Sequence, residues 1–150
     1  MNVDVLLRQL DPDLPVPGYA HVGDAGADLH ARIDLTLDPH TRRAVPTGIA
    51  IALPEGFAAL VMPRSGLARR HGLSMVNTPG LIDAGYRGEI SVLLINHDPI
   101  QAVSLSRGDR IAQLVVLPVA HARFQVVSAL PGSDRGEGGF GSSGHSQALS

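Results

Sequence analysis

The apolar residues of this chain fall into short runs that are separated by turn-forming residues. The runs lie at 42–53, 56–63, 73–77, 89–96, 109–119 and 123–130. Gly, Pro, Asn and Asp stand between them, in turns such as PEG, TPG, DAG, NHDP and SRGD. Many short strands broken by turns are typical of a sandwich, a barrel or a jelly roll rather than of alternating strands and helices. The pattern therefore predicts an all-β fold of one of these kinds.

One segment departs from the strand pattern. The stretch SGLARRHG at 65–72 is typical of a short helix, and Ser65 is placed to cap its start. No Glu or Gln follows at position 68 to complete a capping box. We therefore expect one short helix in an otherwise β domain.

The end of the chain has a different composition. Residues 131–150, PGSDRGEGGFGSSGHSQALS, are rich in Gly and Ser and contain one arginine and one aromatic residue. Such a segment buries too little apolar surface to fold by itself. It is either a frayed tail or an arm that closes over an anionic ligand, with glycine N–H groups, Arg135 and Phe140 as contacts. We divide the chain into a single β domain over 1–130 and a flexible C-terminal arm over 131–150.

Composition limits the classes of function. The chain has 150 residues, a hydrophobic share of 44% and a net charge of -2, which indicates one globular domain without a basic field for nucleic acid or membranes. The first residues lack the features of a signal peptide, and no apolar run approaches the roughly 18 residues of a membrane span. We therefore expect a cytoplasmic protein.

Two residue types are missing from the sequence. Without cysteine, disulfides and thiolate chemistry are excluded. All twelve basic residues are arginine, so a Schiff-base lysine and a GxxxxGK[ST] phosphate loop are excluded as well. The arginines reflect either genome bias or a need for bidentate phosphate contacts. The seven histidines show no HxH or HExxH spacing, and we expect no zinc held by the protein.

Several polar residues allow either a structural or a chemical interpretation. Asp28, in GDAGADLHA, fits a turn that leads into a strand. Arg64, with the N–H groups of Ser65 and Gly66, fits an anion site or an ordinary capped helix. Gln113 lies in an apolar run, where it faces either solvent or a cleft.

The segment GLIDAGYRGEI at 80–90 also allows either a structural or a chemical interpretation. Asp83 follows the apolar pair Leu81 and Ile82, and Tyr86 stands three residues later in a chain with few aromatics. Asn77, just before Thr-Pro-Gly, is by default a turn residue. A carboxylate at position 83 either closes a turn or lies over a reacting atom.

The order of these segments distinguishes the alternatives. DAGADL, PRSGLA, GLIDAGYRGEI, RGDRIAQL and RGEGGFGSSG follow one another with the order and spacing of the five motifs of trimeric dUTP pyrophosphatases. The resemblance to this family, the dUTPases of bacterial type, extends from about residue 22 to residue 144. It implies a β jelly roll that assembles as a homotrimer, with active sites at subunit interfaces and a C-terminal arm over the nucleotide.

The resemblance also implies a reaction and its catalytic residues. The family hydrolyses dUTP to dUMP and pyrophosphate, which keeps uracil out of DNA and supplies dUMP for thymidylate synthesis. Asp83 would be the general base that activates the water attacking the α-phosphorus. Gln113 would help to hold the α-phosphate and that water. A carboxylate held in a turn beside apolar residues is expected to be fixed and partly desolvated.

Other motif residues would bind the nucleoside. Tyr86 would lie against the deoxyribose and leave no room for a 2′-hydroxyl. Asn77 and the backbone of Gly80, Leu81 and Ile82 would contact the edge of uracil. Ser91 occupies a position that often contacts substrate.

The remaining motif residues would bind the triphosphate and its metal. Arg64, Ser65 and Gly66 match the phosphate-binding motif. Mg²⁺ would be held mainly by the three phosphates and by waters, with Asp28 reaching it through water. The arm residues implied in binding are Arg135, Phe140, Gly141 and Ser142, with Phe140 stacking on uracil. His30 departs from the family pattern, in which an aromatic residue often follows Leu29.

Two alternatives to dUTP hydrolysis use the same fold. A dCTP deaminase needs a glutamate on the strand after the third motif, where this chain has SVLLIN without an acid. A non-catalytic, nucleotide-responsive binding protein would not need the full set of Asp83, Gln113 and the arm.

Overall fold

The computed structural model describes residues 2–139 and, over these, eleven strands and one helix. The elements are β1 Leu6–Gln9, β2 Ala27–His30, β3 Leu35–Leu37, β4 Arg42–Pro46, β5 Ile49–Ala52, β6 Phe57–Pro63, α1 Ser65–His71, β7 Leu73–Met75, β8 Gly80–Ile82, β9 Ser91–Asn96, β10 Val103–Leu105 and β11 Arg110–Pro118. The expected all-β fold with one short helix is confirmed.

The strands form antiparallel sheets. One sheet has the order β2-β11-β6-β8 and a second has the order β4-β9-β7, while β1 pairs with β5 and β10 pairs with β3. Over the described residues these sheets stay open rather than closing into one barrel. The long β11 pairs with β2 on one side and with β6 on the other. Two of the motif segments therefore lie next to each other in one sheet.

The core lies between the sheets and follows the two-residue period of the strands. In β9, Val92 and Leu94 are buried, whereas Ser91 before them and Leu93 between them are exposed. Leu29, Leu73 and Ile111 are also almost fully buried. Successive side chains of a strand point to opposite faces, so this alternation fixes which face of each strand is left for a site.

Asn96 is a fully buried polar residue at the end of β9. Its Nδ2 donates to the carbonyl oxygens of Leu37 at 3.0 Å and Gln101 at 2.8 Å, and its Oδ1 accepts from the N–H of Asp98 at 2.9 Å. The side chain thus satisfies backbone groups of two loops inside the core.

Helix α1 has the expected position but a different start. Arg64 is the N-cap residue, with extended φ and ψ, and no side chain caps the helix. The expected cap at Ser65 is wrong, because Ser65 is already the first helical residue. The helix ends at Gly72, whose φ of 63° lies in the left-handed region and whose N–H donates to the carbonyl of Ala68.

The chain divides into two compact units, one up to Ala120 and one from His121 onwards. The run at 123–130 is not a strand, which corrects the expectation from its apolar pattern. A strand needs a neighbour for its backbone N–H and C=O groups, and pattern alone does not supply one. Over residues 2–139, no helix is long and apolar enough to span a membrane.

Candidate active site

A pocket of about 200 Å³ opens at the β8 edge of the four-stranded sheet. Its lining includes seven of the residues that the motifs single out. The lining residues are Val61, Met75, Asn77, Gly80, Leu81, Ile82, Asp83, Tyr86, Ile90 and Ser91. Sequence reasoning missed Val61, Met75 and Ile90, because apolar character does not distinguish a pocket wall from the core.

Strand β8 and the turn after it position the polar side chains of this pocket. Gly80 lies opposite Val61 and Ile82 lies opposite Ala59 in the register with β6. Asp83 follows directly, and its carbonyl accepts the N–H of Tyr86 at 3.0 Å to close a turn. This hydrogen bond fixes the turn that brings Asp83 into the pocket lining.

Asp83 is exposed in the single chain. The expected partial desolvation of its carboxylate is therefore wrong for the chain by itself. Tyr86, beside it, is 46% exposed, and its hydroxyl donates to the carbonyl of Glu89 at 3.0 Å. Any desolvation of the carboxylate has to come from a ligand or from a second chain.

Gly80 lies against the amide of Asn77. A Cβ at position 80 would lie 3.3 Å from Asn77 Nδ2 and 3.5 Å from Val61 Cβ. A larger residue would push the amide out of place. The amide of Asn77 and the backbone of β8 together offer donors and acceptors to a flat polar ligand.

A second cluster of motif residues surrounds Asp28, which is only 6% exposed. One carboxylate oxygen, Oδ1, lies 3.2 Å from Arg64 Nε, and the other, Oδ2, accepts from Arg110 Nη1 at 3.2 Å. Gln113 is paired with Asp28 across β2 and β11. We call Asp28, Arg64, Arg110 and Gln113 the arginine cluster. Arg110 was missed by sequence reasoning, although it lies within the fourth motif.

The arginine cluster carries more positive than negative charge. Two guanidinium groups face one carboxylate, which leaves a surplus for an anionic ligand. Within the described residues, Asp28 Oδ1 and Arg64 Nε are buried without a hydrogen-bond partner, because their contact is an ion pair of poor hydrogen-bond geometry. The two atoms thus form a buried ion pair, and the second guanidinium, that of Arg110, supplies the surplus charge.

His30 lies next to this cluster on β2. Burial lowers the pKa of His30, Asp28 opposes that effect, and Arg110 and Arg64 lower the pKa further. Neutral imidazole is thus favoured beside the two guanidinium groups.

The arginine cluster lies apart from the pocket along the same sheet. Val61 lies opposite Gly80 and Leu114, and Gln113 lies opposite Met62. Since neighbouring residues of a strand point to opposite faces, Gln113 points away from the pocket wall that Val61 and Gly80 form. Among the described residues, none of the arginine cluster lines the pocket.

The other motif residues lie in exposed segments. Ser65 and Gly66 form the exposed first turn of α1. In the second unit, Arg135 Nε donates to the carbonyl of Gly138 at 2.7 Å within a local turn. Phe140, Gly141 and Ser142 lie outside the described residues.

The described residues do not form a complete metal site by themselves. Over 2–139 there is no group of three or more His, Asp or Glu side chains that could hold an ion. Asp28 is a single carboxylate already flanked by two arginines, and only its Oδ1 lacks a hydrogen bond. This donor set fits Mg²⁺ as a contact through water, with most ligands supplied by something else.

A β fold with a pocket for a flat polar ligand and an arginine-bearing face for an anion defines a nucleotide-binding protein. The chain belongs to the dUTPase family, since the dUTPase family model matches residues 13–144.

Similar proteins carry the same description. The chain is 58% identical over 143 residues to the deoxyuridine 5'-triphosphate nucleotidohydrolase of Streptomyces coelicolor, a match that covers 95% of this chain and 78% of the relative. It is 62% identical over 143 residues to the protein of that description from Thermobifida fusca, a match that covers 95% of this chain and 80% of the relative. Among solved structures, a mutant of the Staphylococcus bacteriophage 80alpha dUTPase with dUpNHpp has a TM-score of 0.88 at 27% identity, covering 95% of this chain and 99% of the other.

Proposed function

We propose that this chain hydrolyses dUTP to dUMP and pyrophosphate. The observation that carries the proposal is the position of Asp83 at the mouth of a pocket lined by Asn77 and Tyr86, in a chain of the dUTPase family. The cellular consequence would be removal of dUTP before it enters DNA, together with supply of dUMP for thymidylate synthesis. A cytoplasmic location is part of the proposal.

The chemical step uses Asp83 as a general base. The carboxylate accepts a proton from a water molecule whose oxygen attacks the α-phosphorus. The bond between the α-phosphorus and the oxygen that bridges to the β-phosphate breaks, and pyrophosphate leaves. Asp83 suits this role because a backbone hydrogen bond fixes its turn while its side chain remains accessible.

The pocket residues select the nucleoside. The amide of Asn77 and the backbone of Gly80, Leu81 and Ile82 face the edge of uracil. Tyr86 forms the wall against the deoxyribose, where a 2′-hydroxyl would collide with the ring. Ser91 completes the pocket lining at the start of β9.

The triphosphate is bound by groups outside the pocket. Arg64 and Arg110 supply positive charge, Ser65 and Gly66 supply N–H groups, and Gln113 holds the α-phosphate and the water. Mg²⁺ would neutralise phosphate charge when bound, and Asp28 would reach it through water. In the arm, Arg135 and the backbone of 140–142 would cover the γ-phosphate, with Phe140 on the uracil.

We further propose that the protein is a homotrimer in which each site is built from more than one chain. Support comes from the separation of the two groups within one chain: none of the arginine cluster lines the pocket, and Gln113 points away from the wall formed by Val61 and Gly80. A neighbouring copy would bring its arginine cluster over the pocket of the first. The same contact would desolvate Asp83.

Pyrophosphate release with Mg²⁺ from dUTP, UTP, dCTP and dTTP in parallel tests the reaction. We expect release from dUTP alone. Ammonia from dCTP would instead identify a deaminase. Binding of dUTP without any release would identify a nucleotide-responsive binding protein.

The role of Asp83 is tested by Asp83→Asn. This variant should bind dUTP but lose about 10²-fold or more in turnover, because the amide cannot accept the proton from water. The matched control is Asp13→Asn, since the Asp13 side chain is 89% exposed and lies outside the pocket lining. Unchanged turnover in Asp83→Asn would remove Asp83 from the base role.

A further inference from the structure

The loop between β8 and β9 holds Tyr86 against its own backbone. The phenol hydroxyl donates to the carbonyl of Glu89, three residues ahead, and the ring therefore folds back over Gly88. A Cβ at position 88 would lie 2.7 Å from Tyr86 Cζ and 3.1 Å from Cε2, and closer still to the hydroxyl oxygen. Real Cβ contacts are longer, so any side chain at this position would displace the ring.

The backbone that receives the phenol is anchored to a second loop. The Glu89 carboxylate accepts the N–H of Gly48 at 2.8 Å and pairs with Arg32 Nη1 at 3.2 Å. Ile90 forms further hydrogen bonds with Thr47 and Ile49. The Glu89 carbonyl is therefore a fixed acceptor, and the tyrosine is the movable partner.

We infer that Gly88 is a positioning residue for the sugar-binding wall: the space left by its missing side chain allows Tyr86 to lie where it excludes a 2′-hydroxyl. This inference rests on the proposed dUTP hydrolysis for its catalytic consequence, but the placement of Tyr86 itself does not depend on it. Gly88 touches the tyrosine and acts on specificity through it.

The loop offers a matched control. Gly85 belongs to the same loop, and a Cβ added there would have no atom within 4 Å. Like Gly88, it does not have a positive φ. Gly85→Ala and Gly88→Ala therefore change backbone freedom alike and differ in whether the new methyl group meets Tyr86.

The first measurement compares kcat/KM for dUTP with kcat/KM for UTP. Gly88→Ala should lower this ratio at least about tenfold, since small misplacements of positioning groups cost as much as roughly 10²-fold. Gly85→Ala should leave the ratio within about twofold by the same argument. An equal ratio in wild type and Gly88→Ala, with a displaced Tyr86, would overturn the specificity role.

The second measurement reports on Tyr86 without activity. The chain contains only two tyrosines, Tyr19 and Tyr86, so spectra of protein labelled with ¹³C-tyrosine contain two sets of ring signals. Gly88→Ala should shift those of Tyr86, and Gly85→Ala should not. Unshifted signals in Gly88→Ala would overturn the positioning role while dUTP hydrolysis by the wild type stood. Failure of the wild type to hydrolyse dUTP would reject the proposed function. The spectra would still show whether Gly88 determines the position of the Tyr86 ring.

If Gly88→Ala loses stability, a double-mutant cycle shows whether the loss comes from the contact between the new methyl group and the Tyr86 ring. In a Tyr86→Ala background the methyl group has no ring to meet, so Gly88→Ala should cause no further loss of thermal stability. An equal loss in both backgrounds would show that the glycine acts through the backbone and would overturn the inference.

Discussion

At the residue scale, His30 experiences opposing influences from its neighbours. Burial, Arg110 and Arg64 lower its pKa, and the Asp28 carboxylate raises it. The folded state therefore disfavours the imidazolium relative to the unfolded state, whose pKa is near 6.5. The resulting penalty on the folded state is absent above that pH and grows as pH falls through it towards the lower folded value.

Replacing His30 should flatten the pH dependence of stability. His30→Gln removes the titrating group, so its melting temperature should fall less than that of wild type between about pH 7.5 and about pH 5.5. His97→Gln makes the same substitution at an exposed histidine and is the control for the replacement itself. Thermal unfolding at both pH values measures the effect. Equal slopes in all three proteins would contradict the assignment to His30.

The polar residues of the pocket could be predicted from sequence because they are close in the chain. Asn77, Asp83, Tyr86 and Ser91 all lie within one short segment, and the pocket forms along it. Arg110 could not be predicted in this way. Its approach to Asp28 depends on the register of β11 with β2, which shifts between Arg110 and Ala112. A one-residue change in register would turn every side chain to the other face.

At the element scale, Asn96 joins the end of β9 to two loops. Asn96→Ala removes the side-chain amide from the core and leaves the carbonyls of Leu37 and Gln101 and the N–H of Asp98 without their side-chain partner. Each unsatisfied buried group costs about 1–3 kcal/mol, so the free energy of unfolding should fall by about 2–4 kcal/mol.

Denaturant unfolding at a fixed protein concentration measures this loss. Asn2→Ala is the control, since Asn2 is exposed and the same atoms are removed. Equal unfolding midpoints for the two variants would show that the Asn96 hydrogen bonds add nothing to stability.

The local sequence pattern predicts the elements whose residues are close together in the chain. The run at 42–53 became β4 and β5, separated by a turn at Gly48, where φ is 75°. The helix lies where the pattern at 65–72 predicts it, but Arg64, with an extended backbone, is the N-cap residue in place of Ser65. The run at 123–130 does not form a strand. Its apolar alternation resembles a strand, yet pairing requires a neighbour that sequence spacing does not specify.

At the scale of the whole molecule, a shared site should allow two inactive variants to restore activity. Arg64→Ala keeps the pocket and loses the arginine cluster, whereas Asp83→Asn does the reverse. In trimers assembled at random from equal amounts of both, about a quarter of the interfaces would combine an intact Asp83 with an intact Arg64. Activity should therefore return to about a quarter of the wild-type value on co-assembly, by the same counting.

The control for co-assembly is the double variant mixed with either single variant. Such mixtures lack one of the two intact contributions at every interface and should stay inactive. No gain from Arg64→Ala and Asp83→Asn together would place both groups in the site of one chain. Light scattering should independently give a mass three times that of the 15.7 kDa chain. A monomer that hydrolyses dUTP would contradict the trimer.

The separation of the pocket from the arginine cluster has a consequence for cells under the proposed trimer. A newly made chain would have no neighbouring arginine cluster over its pocket and would be inactive until it assembled. Specific activity would then rise with protein concentration until assembly was complete, and dilution alone would act as an inhibitor. The expression level would thereby set both the amount of enzyme and the fraction of it that is assembled and active.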